Sequence, residues 1–383
     1  MEISTNQIAD EAIKAIRDKI KNLTRLNIAI VGKSGVGKST LINSMFRDDL
    51  AKTGKGMPVT QEFREITKED YPLSIFDTPG FELGKNQQDN VKKELLALIQ
   101  KRNATRDINQ YIHCIWYCVN TTSDRIEPEE EKWLREFTEE NEINQVPVIV
   151  ILTKSYFADD AEEMKKYIEG LNLNIISVVP VLAKSKGNIE AFGLDTLLAV
   201  MEEALPRELR DSLNNVQIAS LEAKKKAAQA AVAAAVTVAF AEGFSPIPFS
   251  DASLLVPTQV AMIASITAIF GVDISKSIIT GFVSSTLGAG GATILGKTAV
   301  SNILKLIPGA GIVLGGTISG TTAGLLTTAL GESYIQLMIK VYNGEISKSQ
   351  LETSRGQEEL KAIFKSELKK ERKNISKREK INV

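Results

Sequence analysis

A glycine-rich stretch between an apolar run and a helix-forming run carries the clearest chemistry in this sequence. Within "IAIVGKSGVGKSTLINSMF", residues 28 to 46, four residues fill the pattern G-x-x-x-x-G-K-[ST]. Glycines let successive backbone N–H groups surround phosphate oxygens, and the positive end of the following helix adds to the attraction. The spacing therefore predicts a phosphate-binding loop whose contacting residues are Gly32, Ser34, Gly35, Val36, Gly37, Lys38, Ser39 and Thr40.

The roles within this loop follow from the side chains. Lys38 is expected to reach the β- and γ-phosphates of a nucleotide, and the short hydroxyl of Ser39 is expected to bind Mg²⁺. Downstream, "SIFDTPGF" places Asp77 at the end of an apolar strand, where its carboxylate can hold the coordination shell of the magnesium ion. The Gly80 N–H can then meet a γ-phosphate that disappears on hydrolysis. Thr60, in the loop before the next strand, can complete the magnesium coordination.

The elements that must position these residues are short β-rich runs alternating with amphipathic ones between Leu26 and Leu205. This alternation is typical of βαβ units and predicts an α/β fold with a doubly wound, mostly parallel sheet. The predicted strands are 26–31, 62–67, 72–77, 111–119, 146–152 and 175–182. The predicted helices are 38–46, 90–102, 127–140, 159–169 and 190–204.

Composition limits the classes of site that the chain can hold. Its 46 basic and 47 acidic residues nearly balance, so no overall basic field indicates a nucleic-acid partner. One histidine, His113, excludes a histidine-rich metal centre and argues against a Ser-His-Asp triad. The first twenty residues are charged and show apolar residues at helical spacing, which predicts an amphipathic helix and not a signal peptide. We therefore expect the nucleotide-binding domain to be cytoplasmic.

The amino-acid composition of the chain changes after Pro206, and we predict that the second half is helical. The predicted organisation is an N-terminal amphipathic helix (1–25), the nucleotide-binding domain (26–205), a charged linker helix (206–226), an all-α Gly- and Ala-rich domain (227–345), and a basic amphipathic C-terminal helix with a disordered tail after Asn374 (346–383).

Four uncharged windows in the second half raise the question of a membrane. They are 227–241, 252–272, 277–296 and 306–331, and three of them reach the roughly 20 residues that span a bilayer. Glycines at intervals of about four permit the close helix approach that membrane helices use. However, the windows are only modestly hydrophobic and two contain proline, so a tightly packed helical bundle outside the membrane is the alternative. Membrane association through residues 227–342, with lipid as a partner, is the expectation.

The motifs of residues 26 to 205 resemble those of the Era-like, translation-factor-related GTPases, with features similar to septins and to the dynamin-like immunity-related GTPases. The whole chain resembles bacterial proteins in which such a domain is fused to a glycine-rich, membrane-associated helical domain of unknown function. The resemblance implies GTP as substrate, Mg²⁺ as cofactor, and switching at Asp77 to Gly80. It also implies base recognition by Thr153 and Lys154, and by Ala183 and Lys184 in "VLAKSKG".

Two positions depart from the pattern of these GTPases. Tyr156 stands where the family has the aspartate that reads guanine, so GTP stays the favoured nucleotide but ATP is an open alternative. Asp159 and Asp160 can substitute if the loop bends, although the N-cap of the next helix is the better interpretation of them. Phe81 stands where many small GTPases place a glutamine that orients water.

An apolar residue at position 81 predicts slow intrinsic hydrolysis, assisted by a partner or by a homodimer through the nucleotide-binding domain. Gln61 and Glu82 are weak candidates for the missing catalytic group. Two functions follow from these features. One is a GTPase switch that controls a membrane-associated helical effector domain. The other is a soluble nucleotide-dependent module that binds the ribosome or another partner and uses ATP or does not hydrolyse nucleotide.

Overall fold

The structure is a computed structural model that describes residues 5–47, 50, 64–79, 85–123, 125–242, 255–287, 320–351 and 353–381. The chain divides into two compact units. The sheet unit comprises residues 23–220, and the helical unit comprises residues 1–22 together with 221–383.

The sheet unit is built around six strands in the order β2-β3-β1-β4-β5-β6, and all neighbours are parallel except β2 and β3. The predicted mostly parallel α/β sheet is therefore confirmed. The strands are β1 (Leu26–Gly32), β2 (Arg64–Thr67), β3 (Leu73–Asp77), β4 (Cys114–Asn120), β5 (Val148–Thr153) and β6 (Ser177–Val181). Its helices are α2 (Lys38–Met45), α3 (Lys85–Asn103), α4 (Pro128–Asn141), α5 (Ala158–Gly170), α6 (Leu194–Ala204) and α7 (Arg210–Val216).

The central strands are buried on both faces, which explains their unbroken apolar sequences. On one face, Tyr117 of β4 stacks on Trp133 of α4, and Trp133 stacks on Phe137. On the other face, Trp116 stacks on Phe46, which directly follows α2. The helix that carries the predicted phosphate-binding residues is thus fixed to the centre of the sheet.

The charged linker helix predicted over 206–226 is wrong as a single element. Residues 207–209 form a 3₁₀ turn, α7 ends at Val216, and the next helix begins only at Leu221. Long-range hydrogen bonds cause the break, because the Arg47 N–H donates to the Val216 carbonyl and the Ile218 N–H donates to the Met45 carbonyl. Helical periodicity contains no information about such distant partners.

The helical unit contains α1 (Thr5–Lys21), α8 (Leu221–Glu242), α9 (Leu255–Phe270), α10 (Lys276–Leu287), α11 (Gly320–Tyr342), α12 (Lys348–Leu351) and α13 (Ser354–Ile381). The predicted N-terminal amphipathic helix is α1, and its apolar face packs mainly against α9 and α10. Helices α8 and α11 approach closely at Gly331, where an added Cβ would lie 2.5 Å from a Val232 methyl group. The predicted disordered tail after Asn374 is also wrong, since α13 continues to Ile381.

The predicted apolar windows fall partly outside the described residues, because neither 288–319 nor 243–254 is among them. Of the helices that the structure describes, none has both the length and the hydrophobicity required to cross a bilayer.

Candidate functional site

The glycine-rich loop leaves the carboxyl end of β1 through a turn that only glycine fits. Gly32 has φ 150°, and an added Cβ would lie 2.5 Å from the Cys118 carbonyl oxygen of the neighbouring strand. Gly37 has φ 114° and is the N-cap of α2. These two glycines therefore allow the chain to turn over the sheet edge and enter the helix, as the motif predicts.

Lys38 is held inside this loop. Its Nζ donates hydrogen bonds to the carbonyls of Gly32 at 2.8 Å and Lys33 at 3.4 Å, and the residue is only 8% exposed. Burial lowers the pKa of Lys38 below its ordinary value, and the nearby carboxylate of Asp77 partly opposes that effect. The structure thus places a buried cation at the base of the predicted phosphate site.

The first turn of α2 faces the same loop. Ser39 and Thr40 follow Lys38 there and are half-buried, while Ser34 is half-buried, Gly35 exposed and Val36 buried. The first N–H groups of any α-helix lack acceptors within the helix, and the positive end of its dipole lies at the same point. Helix α2 therefore presents an anion-binding end beside the Lys38 ammonium group.

Thr153, predicted to contact the nucleotide, lies under the loop. Its hydroxyl is 2.7 Å from the Val36 carbonyl and 3.0 Å from the Val119 carbonyl, and it can donate to one of them at a time. The residue is buried. Thr153 therefore fixes the glycine-rich loop to the carboxyl ends of β4 and β5, a positioning contact that the sequence pattern did not reveal.

Asp77 ends β3 next to the start of the loop, opposite Ile30 of β1, and is buried. The N–H and the hydroxyl of Thr78 both lie 3.1 Å from the Ile30 carbonyl, which fixes the chain as it leaves the strand. The other predicted switch and catalytic residues, Thr60, Gln61, Gly80, Phe81 and Glu82, lie outside the described residues.

The predicted base-reading residues lie at the ends of the next two strands. Lys154 adopts a left-handed conformation, with φ 57°, directly after β5. The Ser155 N–H donates to the Val181 carbonyl at 3.3 Å, so this turn is joined to the end of β6. Ala183 is half-buried and Lys184 is exposed in the loop that follows β6.

The interpretation of Asp159 and Asp160 as an N-cap is wrong. Helix α5 has Phe157 as its N-cap, and both aspartates lie in the first turn of the helix. Their carboxylates are exposed there and interact favourably with the positive end of the helix dipole.

Two contacts of this region could not be read from the sequence motifs. The Lys186 ammonium lies 4.0 Å from the centroid of the Tyr156 ring. Lys33, inside the glycine-rich loop, forms ion pairs with Glu130 at 2.7 Å and Glu127 at 3.0 Å at the start of α4. Burial alone would lower the pKa of Lys33, but hydrogen bonds to the two carboxylates more than offset burial and raise it.

The remaining reactive side chains of the sheet are structural. Burial lowers the pKa of His113 to about 4, so the ring is neutral at physiological pH. Burial raises the pKa of Cys114 and of Cys118 to about 12, which keeps both thiols protonated. Within the described ranges, no group of three or more His, Cys, Asp or Glu side chains is arranged to hold a metal ion.

Comparison with known proteins finds family matches in two parts of the chain. Residues 27–154 match the family described as 50S ribosome-binding GTPase, and residues 205–372 match a domain of unknown function, DUF697. GTPase Era of Cronobacter sakazakii is 26% identical over 187 residues, which are 48% of this chain and 56% of Era. Septin-9 of Rattus norvegicus is 27% identical over 164 residues, which are 37% of this chain and 29% of the septin.

This chain thus spans about half of Era and less than a third of septin-9. Among solved structures, Era of Aquifex aeolicus bound to GDP.AlF4- is similar, with 21% identity and a TM-score of 0.34 over 55% of this chain and 67% of that one. Together with the geometry of the loop between β1 and α2, the family matches lead to one assignment. The chain carries a P-loop GTPase domain over residues 27–154, followed over residues 205–372 by a DUF697 domain of unknown function.

Proposed function

We propose that this protein is a GTP-binding switch that hydrolyses GTP slowly and couples its nucleotide state to the helical unit. The observation that carries the proposal is the buried Lys38 ammonium, which lies in a glycine loop at the N-terminus of α2. The family match of residues 27–154 and the relative named GTPase Era support GTP as the nucleotide.

Binding follows from the groups that surround the loop. The N–H groups of the loop and of the first turn of α2 are donors for the α- and β-phosphate oxygens. Lys38 now donates to the carbonyls of Gly32 and Lys33, and phosphate oxygens can replace these acceptors with a short movement of the side chain. The negative charge of the phosphates then offsets the cost of burial, which disfavours the charged form of Lys38 in the absence of a ligand.

Mg²⁺ fits the donor set beside this loop. The Ser39 hydroxyl is half-buried in the first turn of α2, and the carboxylate of Asp77 lies near Lys38 at the adjacent strand end. Oxygen donors of this kind suit Mg²⁺, which generally takes one or two protein ligands together with phosphate oxygens and water. When bound, the ion supplies positive charge to the phosphate oxygens, and Ser39 and Asp77 are the described residues that would hold it.

Slow hydrolysis is proposed because Phe81 cannot orient a water molecule. We expect purified protein to release phosphate from GTP far more slowly than a typical enzyme rate of about 10 per second. We also expect the rate per molecule to rise with protein concentration, since a second copy or another partner would supply the missing group. Phosphate release measured over a dilution series tests this. A fast rate that does not change on dilution would contradict it.

A column of lysines on α13 favours a membrane surface as the environment of the helical unit. Lys361, Lys365, Lys369 and Lys373 recur every four residues, about 6 Å apart along the helix. All four are exposed, and no ion pair or hydrogen bond to a described side chain involves them. Like charges at this spacing destabilise a helix by a few tenths of a kcal/mol per pair, a cost that an anionic surface facing the column would remove.

We propose that this lysine column contacts anionic lipid headgroups, each lysine adding about 1 kcal/mol near such a surface. A peripheral contact of this type requires no membrane-spanning helix.

Flotation of the full chain with vesicles tests the membrane proposal. The protein should float with vesicles of phosphatidylcholine and phosphatidylserine at low salt, but not with phosphatidylcholine alone. Changing the four lysines of the column to glutamine should abolish flotation. The same change at Lys93, Lys101, Lys132 and Lys166, all exposed in the sheet unit, should leave it intact. Absence of flotation with anionic vesicles would instead support the soluble interaction module.

A further inference from the structure

The position that reads the base in related GTPases is occupied here by Tyr156, and Tyr156 has a charged neighbour. The Lys186 ammonium lies over the Tyr156 ring at 4.0 Å from its centroid, well within the distance of a cation–π interaction. Tyr156 is half-buried and Lys186 is exposed, so the ammonium is accessible to a ligand. This pair therefore puts a positive charge at the turn where related GTPases carry a carboxylate.

The backbone holds Lys186 at this place. After β6 the chain forms a hairpin, in which Leu182 and Phe192 exchange two hydrogen bonds and Lys186 and Ile189 exchange two more. Gly187, with φ 59°, allows the two-residue turn between Lys186 and Ile189. Lys186 therefore stands on a closed hairpin and not on an unstructured loop.

Tyr156 is fixed from the opposite side. Its N–H donates to the Lys154 carbonyl at 2.7 Å, and the preceding residue is bonded to the end of β6. Thr153 joins the same turn to the glycine-rich loop. The Tyr156–Lys186 pair is thus connected to the predicted phosphate site through two short turns at the carboxyl edge of the sheet, where nucleotides bind in doubly wound folds.

The chemistry of the pair distinguishes purines. An ammonium group has three donors and no acceptor. Guanine carries an acceptor, O6, at position 6, whereas adenine carries at position 6 an amino group that is itself a donor. A lysine that faces position 6 therefore favours a 6-oxopurine and disfavours adenine. It makes no contact with the 2-amino group of guanine, which is the group that a carboxylate would bind.

On the basis of the function proposed above, we propose that Lys186, supported by Tyr156, selects 6-oxopurine nucleotides as a class through O6. The protein then accepts ITP as well as GTP. A hydrogen bond to a charged donor contributes enough to favour GTP over ATP by roughly 10- to 100-fold. ITP, which lacks only the 2-amino group, should bind within about threefold of GTP, because no group reads that amine.

Competition calorimetry with GTP, ITP and ATP, each with Mg²⁺, tests this inference on the full chain. Lys186→Met keeps an apolar stem over Tyr156 and removes the charge, so the preference for GTP over ATP should fall to about threefold or less. Lys166→Met, at an exposed lysine of α5, should leave this preference unchanged. Tyr156→Asp should create a preference for GTP over ITP. The ratio of two affinities within one variant is insensitive to partial loss of folded protein.

Three outcomes overturn the inference. One is a wild-type preference for GTP over ITP of about 30-fold or more, which would mean that another group reads the 2-amine. The second is an unchanged ratio of GTP to ATP affinity in Lys186→Met. The third is binding of none of the three nucleotides, which would refute the proposed function itself and so is distinguishable from the first two.

Discussion

Lys38 shows why some residues of the site are predictable and others are not. The motif fixes its distance from Gly32 along the chain, and both residues lie where the motif places them. Lys33 and Glu130, by contrast, form their ion pair across 97 residues of sequence, and no local pattern links them. The Lys186–Tyr156 contact was equally invisible, because it depends on two loops that meet only in the folded sheet.

His113 illustrates a residue whose role is structural and measurable. It precedes β4, its Nδ1 accepts a hydrogen bond from the Asn27 N–H at 3.0 Å, and its Nε2 lies 2.9 Å from the Ile108 carbonyl. The first contact requires a bare Nδ1, so the proton of the neutral ring is on Nε2 and is donated to Ile108. Protonation of Nδ1 would break the contact with Asn27.

Stability should therefore fall with acid through the titration of His113. Its pKa is about 4 in the folded protein, against 6.5 for an ordinary histidine. Between these values the unfolded chain binds one more proton than the folded chain, so the free energy of unfolding decreases by about 3 kcal/mol as the pH falls from 6.5 to 4. This contribution becomes constant about one pH unit above 6.5, where the unfolded chain no longer binds the proton.

Denaturant unfolding of wild type and His113→Asn over this pH range measures the effect. The carboxylates titrate in both proteins, so the difference between the two curves isolates His113. The wild-type curve should be the steeper one. Parallel curves would show that the His113 ring does not titrate as its burial implies.

At the scale of elements, local patterns predicted the central strands of the sheet well because these strands are buried on both faces and read as apolar runs. Boundaries failed where distant hydrogen bonds decide them. The break between α7 and α8 is one example, since it depends on carbonyls and N–H groups near Met45. The start of α5 at Ala158 is another, because its N-cap residue, Phe157, has no side chain that can cap a helix and capping residues therefore gave no signal.

Lys224 is an element-scale feature of the helical unit. Its Nζ donates to the carbonyls of Ile269 at 2.9 Å and Phe270 at 3.2 Å, at the C-terminus of α9, and the residue is 0% exposed. The last carbonyls of a helix lack partners within the helix and lie at the negative end of its dipole. A lysine of α8 therefore satisfies the end of α9.

Lys224→Met should destabilise the helical unit by about 1–3 kcal/mol, because two buried carbonyls lose their donor. Lys225→Met removes a neighbouring charge that pairs with Glu222 at the surface, so it should change stability by less than about 1 kcal/mol. Denaturant unfolding followed by circular dichroism, together with amide exchange at the end of α9, measures both variants. Equal stability of Lys224→Met and wild type would contradict the capping role.

At the scale of the whole molecule, the sequence indicated a nucleotide-binding half and a helical half, but it could not indicate which segments share a core. Residues 1–22 belong to the same compact unit as residues 221–383, although the whole sheet unit separates them in sequence. An amphipathic pattern shows that one face of α1 is buried and says nothing about the partner. The buried Ile8, Ala12 and Ile16 supply that face to the helical core.

The DUF697 match begins at residue 205, whereas residues up to 220 pack with the sheet unit. In sequence, helix α7 therefore belongs to the matched domain. In the structure, however, it packs with the sheet unit. The Val216 carbonyl at its end accepts a hydrogen bond from the Arg47 N–H, two residues after the helix of the phosphate-binding loop.

The central claim, that the loop between β1 and α2 binds GTP through Lys38, is tested most directly by calorimetric titration of the full chain with GTP and Mg²⁺. Lys38→Ala should keep its fold, because burial disfavours the charge that the substitution removes. A circular dichroism melt checks this. We predict one GTP site in wild type and in Lys132→Ala, an exposed lysine of α4, and affinity weaker by roughly 100-fold or more in Lys38→Ala. Equal affinity of folded Lys38→Ala and wild type for GTP would contradict the account.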